Sequence, residues 1–409
     1  MSLRKTQQEA PNTGPVLSEK YLYFDTAAAA PPVVDAVKEA TDYLWQTAQS
    51  GPYLPRLRKH IYTRLEEIRN LVADFLGAHQ NEVAFTRNGT ESICLVARGL
   101  TWQKGDEIII PDTEMLSNIA IWYMIAEETG AKVVTVRADR NGVISPETVR
   151  DSITDRTRLV TFASVSNVTG VIQPTREICE IARSHGVYSH VNAAQALGVI
   201  PVGFDTWPCD FISACTRKGL RGLEGSGILT VRERLLEDIT PTLAGWWNAS
   251  LDEGSGTVQF PRTARKLEAG SPNVPAILAL GAAVKVANTC GLESISTWVQ
   301  ELTAYAGERL RSVPGADIYG PEDDTRRIGI LPFNISGIDA NDLARALEAQ
   351  NIIIEAGHFM ATPILAEYGI ERMARISIHY FNTKEEIDRL IKAIINVIGE
   401  NHAPCALNE

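Results

Sequence analysis

DFISACTRKGLRGLEGSGIL, residues 210–229, runs from an apolar strand pattern through a basic stretch into a glycine-rich turn, then out into a second apolar run. Lys218 stands where the first strand ends, next to Cys215, Arg217 and a set of glycines. Two readings compete. One is a solvated loop; the other is a lysine held at the carboxyl end of a strand to form a covalent bond. The rest of the chain has to choose between them.

The bulk properties narrow the field. With 409 residues, 44% hydrophobic and 22% charged, the chain can bury a full α/β core and is expected to divide into two domains. Its net charge of −11 argues against a nucleic-acid partner, which requires a basic face. No apolar run reaches the roughly 18 residues of a membrane span. The opening MSLRKTQQEAPNTGP is polar and lacks the apolar core of a signal peptide. The six cysteines (Cys94, Cys179, Cys209, Cys215, Cys290, Cys405) form no C-x-x-C pair, so reduced thiols are expected and no metal site. The expectation is a cytoplasmic enzyme.

The chain alternates helical and strand patterns. EVAFT, DEIIIP, KVVTV, RLVTFASVS, VYSHVN, DFISAC and GILTV are short, apolar and rich in β-branched residues, with helical spacings such as IAIWYMIAEETG and TREICEIARSHG between several of them. Continuous apolar strands separated by helices predict a mostly parallel, seven-stranded sheet covered on both faces. After residue 284 the texture shifts to a long helical stretch followed by RIGILPFNIS, DANDLARALEAQN, ARISIHYFN and TKEEIDRLIKAIINVIG. The predicted organisation is an N-terminal arm (1–20), a large domain (21–284) and a smaller α+β domain (285–409).

In such sheets ligands bind beyond the carboxyl ends of the strands. After EVAFT come Asn88, Gly89 and Thr90, opening a helix whose N–H groups suit an anion such as phosphate. Asn167 follows RLVTFASVS, Asn192 and Gln195 follow VYSHV, and Arg217 and Lys218 follow DFISAC. A lysine among polar amides beside a phosphate-type turn fits a Schiff base with an aldehyde cofactor, and pyridoxal phosphate carries both groups. Each strand end alone is a turn or a cap; the ordered set is harder to reach by chance.

VNAAQALGVIPVGFDTWPCDFISACTRKGLRGLEGSGIL, together with YLYFDTAAAAPP, LEAGSPN and ARISIHYFNTKEEID, resembles the class V aminotransferase family of pyridoxal-phosphate enzymes. That family includes cysteine desulfurases, isopenicillin N epimerase-like proteins and C–S lyases of the ergothioneine type. The resemblance implies a fold-type I homodimer acting on an amino acid, its active site at the subunit interface. Lys218 would be the Schiff-base lysine. Gly89 and Thr90 would hold the phosphate, with Arg217 and either Cys215 or Thr216 closing around it and Ser271 reaching it from the partner. Asn167 and Gln195 would bond the phenolic oxygen, and Arg375 would clamp the substrate carboxylate.

Three departures from the family pattern bear on the reaction. The desulfurase loop resembles G-H-H-C-A-x-P, whereas AGHFMATPIL places Met360 in the cysteine slot, and a thioether cannot carry a persulfide. Asn192 replaces the usual aspartate under the pyridine nitrogen, which weakens the electron sink that transamination needs. Met115 replaces the histidine stacked on the ring; it packs on a π-face but moves no proton. Acid–base work then falls on Lys218, with His358 as a further substrate-loop candidate. Trp246 and Trp247 line the substrate pocket or pack on the partner. The expected reaction is α-proton abstraction and β-elimination from an S-substituted cysteine. Epimerisation, transamination and bond-forming chemistry stand as alternatives on the same fold, and a non-catalytic binding protein as a third.

Overall fold

The structure, a computed structural model, describes residues 20–402. The expected N-terminal arm, apart from Lys20, and Cys405 lie outside the described residues. The strand patterns of the large domain assemble into one seven-stranded sheet. Its spatial order is Val83–Thr86, Gly227–Val231, Phe211–Cys215, Tyr188–Asn192, Thr157–Ala163, Glu107–Pro111, Lys132–Val136. Gly227–Val231 pairs antiparallel with both its neighbours, and the other adjacent pairs are parallel.

Alternation along the strands feeds two cores. Phe85, Ile109, Val160, Val191 and Ile212 pack on one side with residues of the helices Val34–Ser50, Pro55–Phe75 and Val274–Cys290. Ala84, Ile108, Leu159, Phe211 and Leu229 face the other side, against the helices Gly89–Gly99 and Ala120–Thr129. Val274–Cys290 is apolar almost all round because it is a core helix, with Ala276–Val284 buried throughout. No single helix among the described residues is long and apolar enough to cross a membrane.

The C-terminal unit is a four-stranded antiparallel sheet ordered Ala316–Ile318, Ile330–Ile335, Met373–Ser377, Glu355–Gly357. The helices Leu292–Arg311, Ala340–Glu348 and Lys384–His402 cover it. The start of the described chain joins this unit: Leu22–Tyr23 pairs in parallel with Ile352–Ile353, and Leu22 and Phe24 enter its core. The Ser377 N–H donates to the Phe24 carbonyl at 2.7 Å, and the Ala27 N–H donates to Ser377 Oγ at 2.9 Å. This stitch carries Asp25 to the strand that holds Arg375.

Candidate active site

Lys218 follows the fully buried strand Phe211–Cys215 and is itself only 7% exposed. Its amine makes no hydrogen bond or ion pair among the described residues. Burial, foremost, lowers its pKa, and the nearby Arg375 and Arg217 charges act in the same direction against Cys215 and Glu355. A buried, unpaired amine with a lowered pKa gives up its proton more readily than a solvated lysine, which favours the nucleophilic form. The solvated-loop reading of Lys218 therefore fails on exposure.

An anion cradle adjoins it. Asn88 caps the helix Gly89–Gly99 by accepting from the Glu91 N–H at 2.9 Å, which leaves the Gly89 and Thr90 N–H groups without a partner among the described residues. Glycine at 89 lets this helix end press against the lysine strand, since a Cβ there would lie 3.4 Å from the backbone of Ala214 and Cys215. Arg217 donates to the Ala28 carbonyl at the rim. Thr216, offered as an alternative to Cys215, is committed elsewhere: its hydroxyl donates to the Leu223 carbonyl at 3.1 Å and pairs with Ser226 to close the turn. Cys215 is the member of that pair beside the cradle. Ser271 is exposed and lines an open cavity of about 250 Å³ with Arg87, Gly225 and Asn273, a cavity that does not include Lys218.

Asn192 ends the strand Tyr188–Asn192 and is 7% exposed. Its Oδ1 accepts from the Ala194 N–H at 3.1 Å, and its Nδ2–H group has no partner among the described residues. Gln195 spends one Nε2–H on the Ala27 carbonyl at 3.0 Å. Met115 is half-buried, immediately after a buried carboxylate, Glu114. Glu114 begins a buried polar chain that sequence reading missed. It accepts from the Ala163 N–H at 2.5 Å and from Asn118 Nδ2 at 2.8 Å. Asn118 Oδ1 in turn accepts from Trp122 Nε1 and from Thr161 Oγ1, each at 3.0 Å. Thr161 meets His190 Nδ1 at 2.7 Å, and His190 Nε2 meets Ser213 Oγ at 2.9 Å. Burial pushes Glu114 up to about 7 and His190 down to about 3. With Thr161 donating to Asn118, His190 carries its proton on Nδ1 and accepts from Ser213.

Arg375 is 3% exposed and its guanidinium is heavily engaged. Nη1 donates to the Asn167 carbonyl at 2.7 Å, and Nη2 to Asp25 Oδ1 at 3.2 Å and to Glu355 Oε2. Its Cζ lies 4.3 Å from the Phe359 ring centroid. The Asn167 side chain has no partner among the described residues, so it is open to a ligand. Beyond Glu355 the backbone turns through Gly357, Phe359 and Met360, all at positive φ. His358 is exposed and accepts the Met360 N–H at 3.0 Å, closing that turn. Met360 is 52% exposed. Of the two tryptophans, Trp247 is tied to the scaffold by a 3.3 Å bond to Glu268 and an edge contact with Tyr62, while Trp246 is exposed.

The aminotransferase class V family model matches residues 22–390. This chain belongs to the class V aminotransferase family. It is a pyridoxal-phosphate-dependent enzyme similar to the cysteine desulfurases. A cysteine desulfurase of Escherichia coli (strain SE11) is 34% identical over 397 residues, covering 93% of this chain and 95% of that protein. The apo structure of a cysteine desulfurase from Thermococcus onnurineus NA1 superposes with a TM-score of 0.91 at 27% identity, covering 98% of this chain and 99% of that one. A cystine C–S lyase, solved with its reaction product cysteine persulfide, matches in fold with a TM-score of 0.84 at 22% identity over 92% of this chain and 98% of that one. The residues present suit the cofactor: an open helix N-terminus for the phosphate, a buried, unpaired lysine for the aldehyde, and an amide donor for the ring nitrogen.

Asp25 and Glu355 were also absent from the sequence reading. Their contact with Arg375 depends on pairings 350 and 20 residues apart, and no local pattern announces either.

Proposed function

We propose that this enzyme is a C–S lyase that eliminates the sulfur substituent of an S-substituted cysteine, and that it does not use the persulfide route of a desulfurase. The observation that carries the reading is Met360 on the loop that follows Glu355. Of the five described cysteines, four are buried, Cys94 is half-buried on a helix, and none lies on that loop. A sulfur atom released at this site meets no cysteine on that loop to receive it. The relatives' names point to sulfur removal from cysteine, and the elimination route keeps that bond cleavage without the loop thiol.

Pyridoxal phosphate, when bound, supplies an aldehyde for amines and a ring that draws charge from the substrate's α-carbon. The protein's part follows from its side chains. Gly89 and Thr90 N–H groups would hold the phosphate, with Arg217 and Cys215 near it and Ser271 contributed by a second copy across a homodimer interface. Asn192 would donate its Nδ2–H to the ring nitrogen without bringing a negative charge. A neutral amide at this position would stabilise negative charge less than an aspartate would, a setting that would suit loss of a good β-leaving group. Asn167 and Gln195 would bond the phenolic oxygen, and Met115 would pack on the ring face. Lys218 Nζ, freed by the substrate amine, would take the α-proton and return it to the departing sulfur. Arg375 would orient the α-carboxylate. With one water consumed in hydrolysing the eliminated amino acid, the products would be a thiol, pyruvate and ammonia.

The test is a direct product assay on the holoenzyme with a panel of S-substituted cysteines, following pyruvate and free thiol. Stoichiometric pyruvate and thiol support the lyase. α-Proton exchange into deuterated water without pyruvate would replace it with epimerisation, and keto-acid-dependent turnover with transamination.

A further inference from the structure

The carboxylate clamp holds one cation and two anions. Arg375 Nη2 serves both Asp25 and Glu355, and the side chains of the three are 3%, 15% and 40% exposed. Glu355 pairs directly across the antiparallel ladder from Arg375. Glu355 adjoins the candidate site through Arg375, whose Nη2 it accepts from and whose Nη1 donates to the Asn167 carbonyl. Nε of Arg375 has no partner among the described residues but is buried, so a substrate α-carboxylate that reaches Nη2 makes a third anion on one guanidinium and displaces one of the residents. Asp25 is held by the stitch between Phe24–Ala27 and Ser377. Glu355 is the more exposed, sits on a three-residue edge strand and precedes a turn built of positive-φ residues, so it is the one free to move. Once displaced, its carboxylate lies beside the bound substrate without its cation.

We propose that Glu355 is a specificity residue that selects substrates whose side chain carries a cation, in the first instance a primary ammonium. The substrate's α-carboxylate takes the place of Glu355 on Arg375, and the substrate's own ammonium then takes the place of Arg375 on Glu355. The exchange leaves the excess of carboxylates over cations at the clamp unchanged. A neutral side chain strands one carboxylate, and an acidic one strands two. The inference rests on the amino-acid lyase reading for its substrate class but not for its test.

The test is a binding titration of the holoenzyme, read from the shift of its visible absorption, with two isosteric pairs. S-(2-aminoethyl)cysteine against S-propylcysteine can react; lysine against 2-aminoheptanoate cannot eliminate. In each pair the ammonium-bearing ligand should bind about tenfold more tightly, the size expected of one partly screened charge pair. Glu355→Gln should bring both ratios close to one, and Glu355→Asp, the control for a merely structural effect, should restore part of the preference. Equal affinities within the pairs for the native enzyme, or a preference that survives Glu355→Gln, would overturn the proposal. Preference for lysine over 2-aminoheptanoate with no pyruvate from either cysteine would leave Glu355 standing and remove the lyase reading. Pyruvate from both cysteines with equal affinities would do the reverse.

Discussion

Replacing Glu114 by glutamine tests whether the floor of the site contains a buried carboxyl. Glu114 is 1% exposed, and burial, against two hydrogen bonds, carries its pKa from 4.5 in the open chain to about 7. That difference corresponds to about 3 kcal/mol of tighter proton binding in the fold. The sign follows from where the proton sits. A raised folded pKa means the folded state holds more protons than the unfolded state between the two values. The contribution to stability is therefore complete below pH 4.5 and is lost as pH climbs through 7. About 2 kcal/mol of that loss falls between pH 5 and pH 7.5. Glutamine does not titrate. It also turns an amide N–H toward a donor, Asn118 Nδ2 or the Ala163 N–H, which costs about 1–3 kcal/mol at every pH. Urea unfolding of both proteins at pH 5 and pH 7.5, with saturating cofactor, isolates the titrating part, because all other groups cancel in the difference. Glu114→Gln should be clearly the less stable protein at pH 5 and gain about 2 kcal/mol on the native protein by pH 7.5. A difference that stays constant with pH, or that moves the other way, refutes a carboxyl titrating in the core.

Three further outcomes are expected. Thr161→Val removes the hydroxyl between His190 and Asn118 and orphans His190 Nδ1, since Asn118 Oδ1 keeps Trp122; it should cost about 2 kcal/mol in thermal unfolding and exceed Thr161→Ser, which keeps the hydroxyl. Lys218→Ala should abolish the visible absorption of lysine-bound cofactor and turnover together while preserving the far-ultraviolet circular dichroism of the fold. Asn192→Asp places a carboxylate where Nδ2 now sits and should raise the single-turnover conversion of cofactor to its amine form by about tenfold or more, measured by loss of the visible band.

Much of the architecture is legible in the residues. KVVTV and GILTV coincide with Lys132–Val136 and Gly227–Val231, and the other five strand patterns are met within a few residues at their ends. Strands buried on both faces must be short and apolar, and turns must interrupt them, so each announces itself locally. The reversed direction of Gly227–Val231 does not, because a strand's own residues carry no record of its neighbour's direction. Short pieces such as Leu22–Tyr23 and Glu355–Gly357 were invisible for a related reason: two or three residues show no period, and only their partners make them strands.

The site divides along the same line. Lys218, Gly89, Asn192 and Arg375 could be named from sequence because each stands at a fixed step from a strand end or in a motif that a family resemblance recognises. Their environment could not. The lowered pKa of Lys218 depends on its burial, which the whole sheet and its neighbours supply. The chain from Glu114 to Ser213 joins residues from four segments that meet only when three adjacent strands align. The charge on Arg375 is offset by Asp25 from the start of the described chain and by Glu355 from across the ladder. Sequence determines which groups are available and which local turns present them, because propensity and burial period are local quantities. Electrostatics and hydrogen bonding depend on distance through space, and only the tertiary fold decides that.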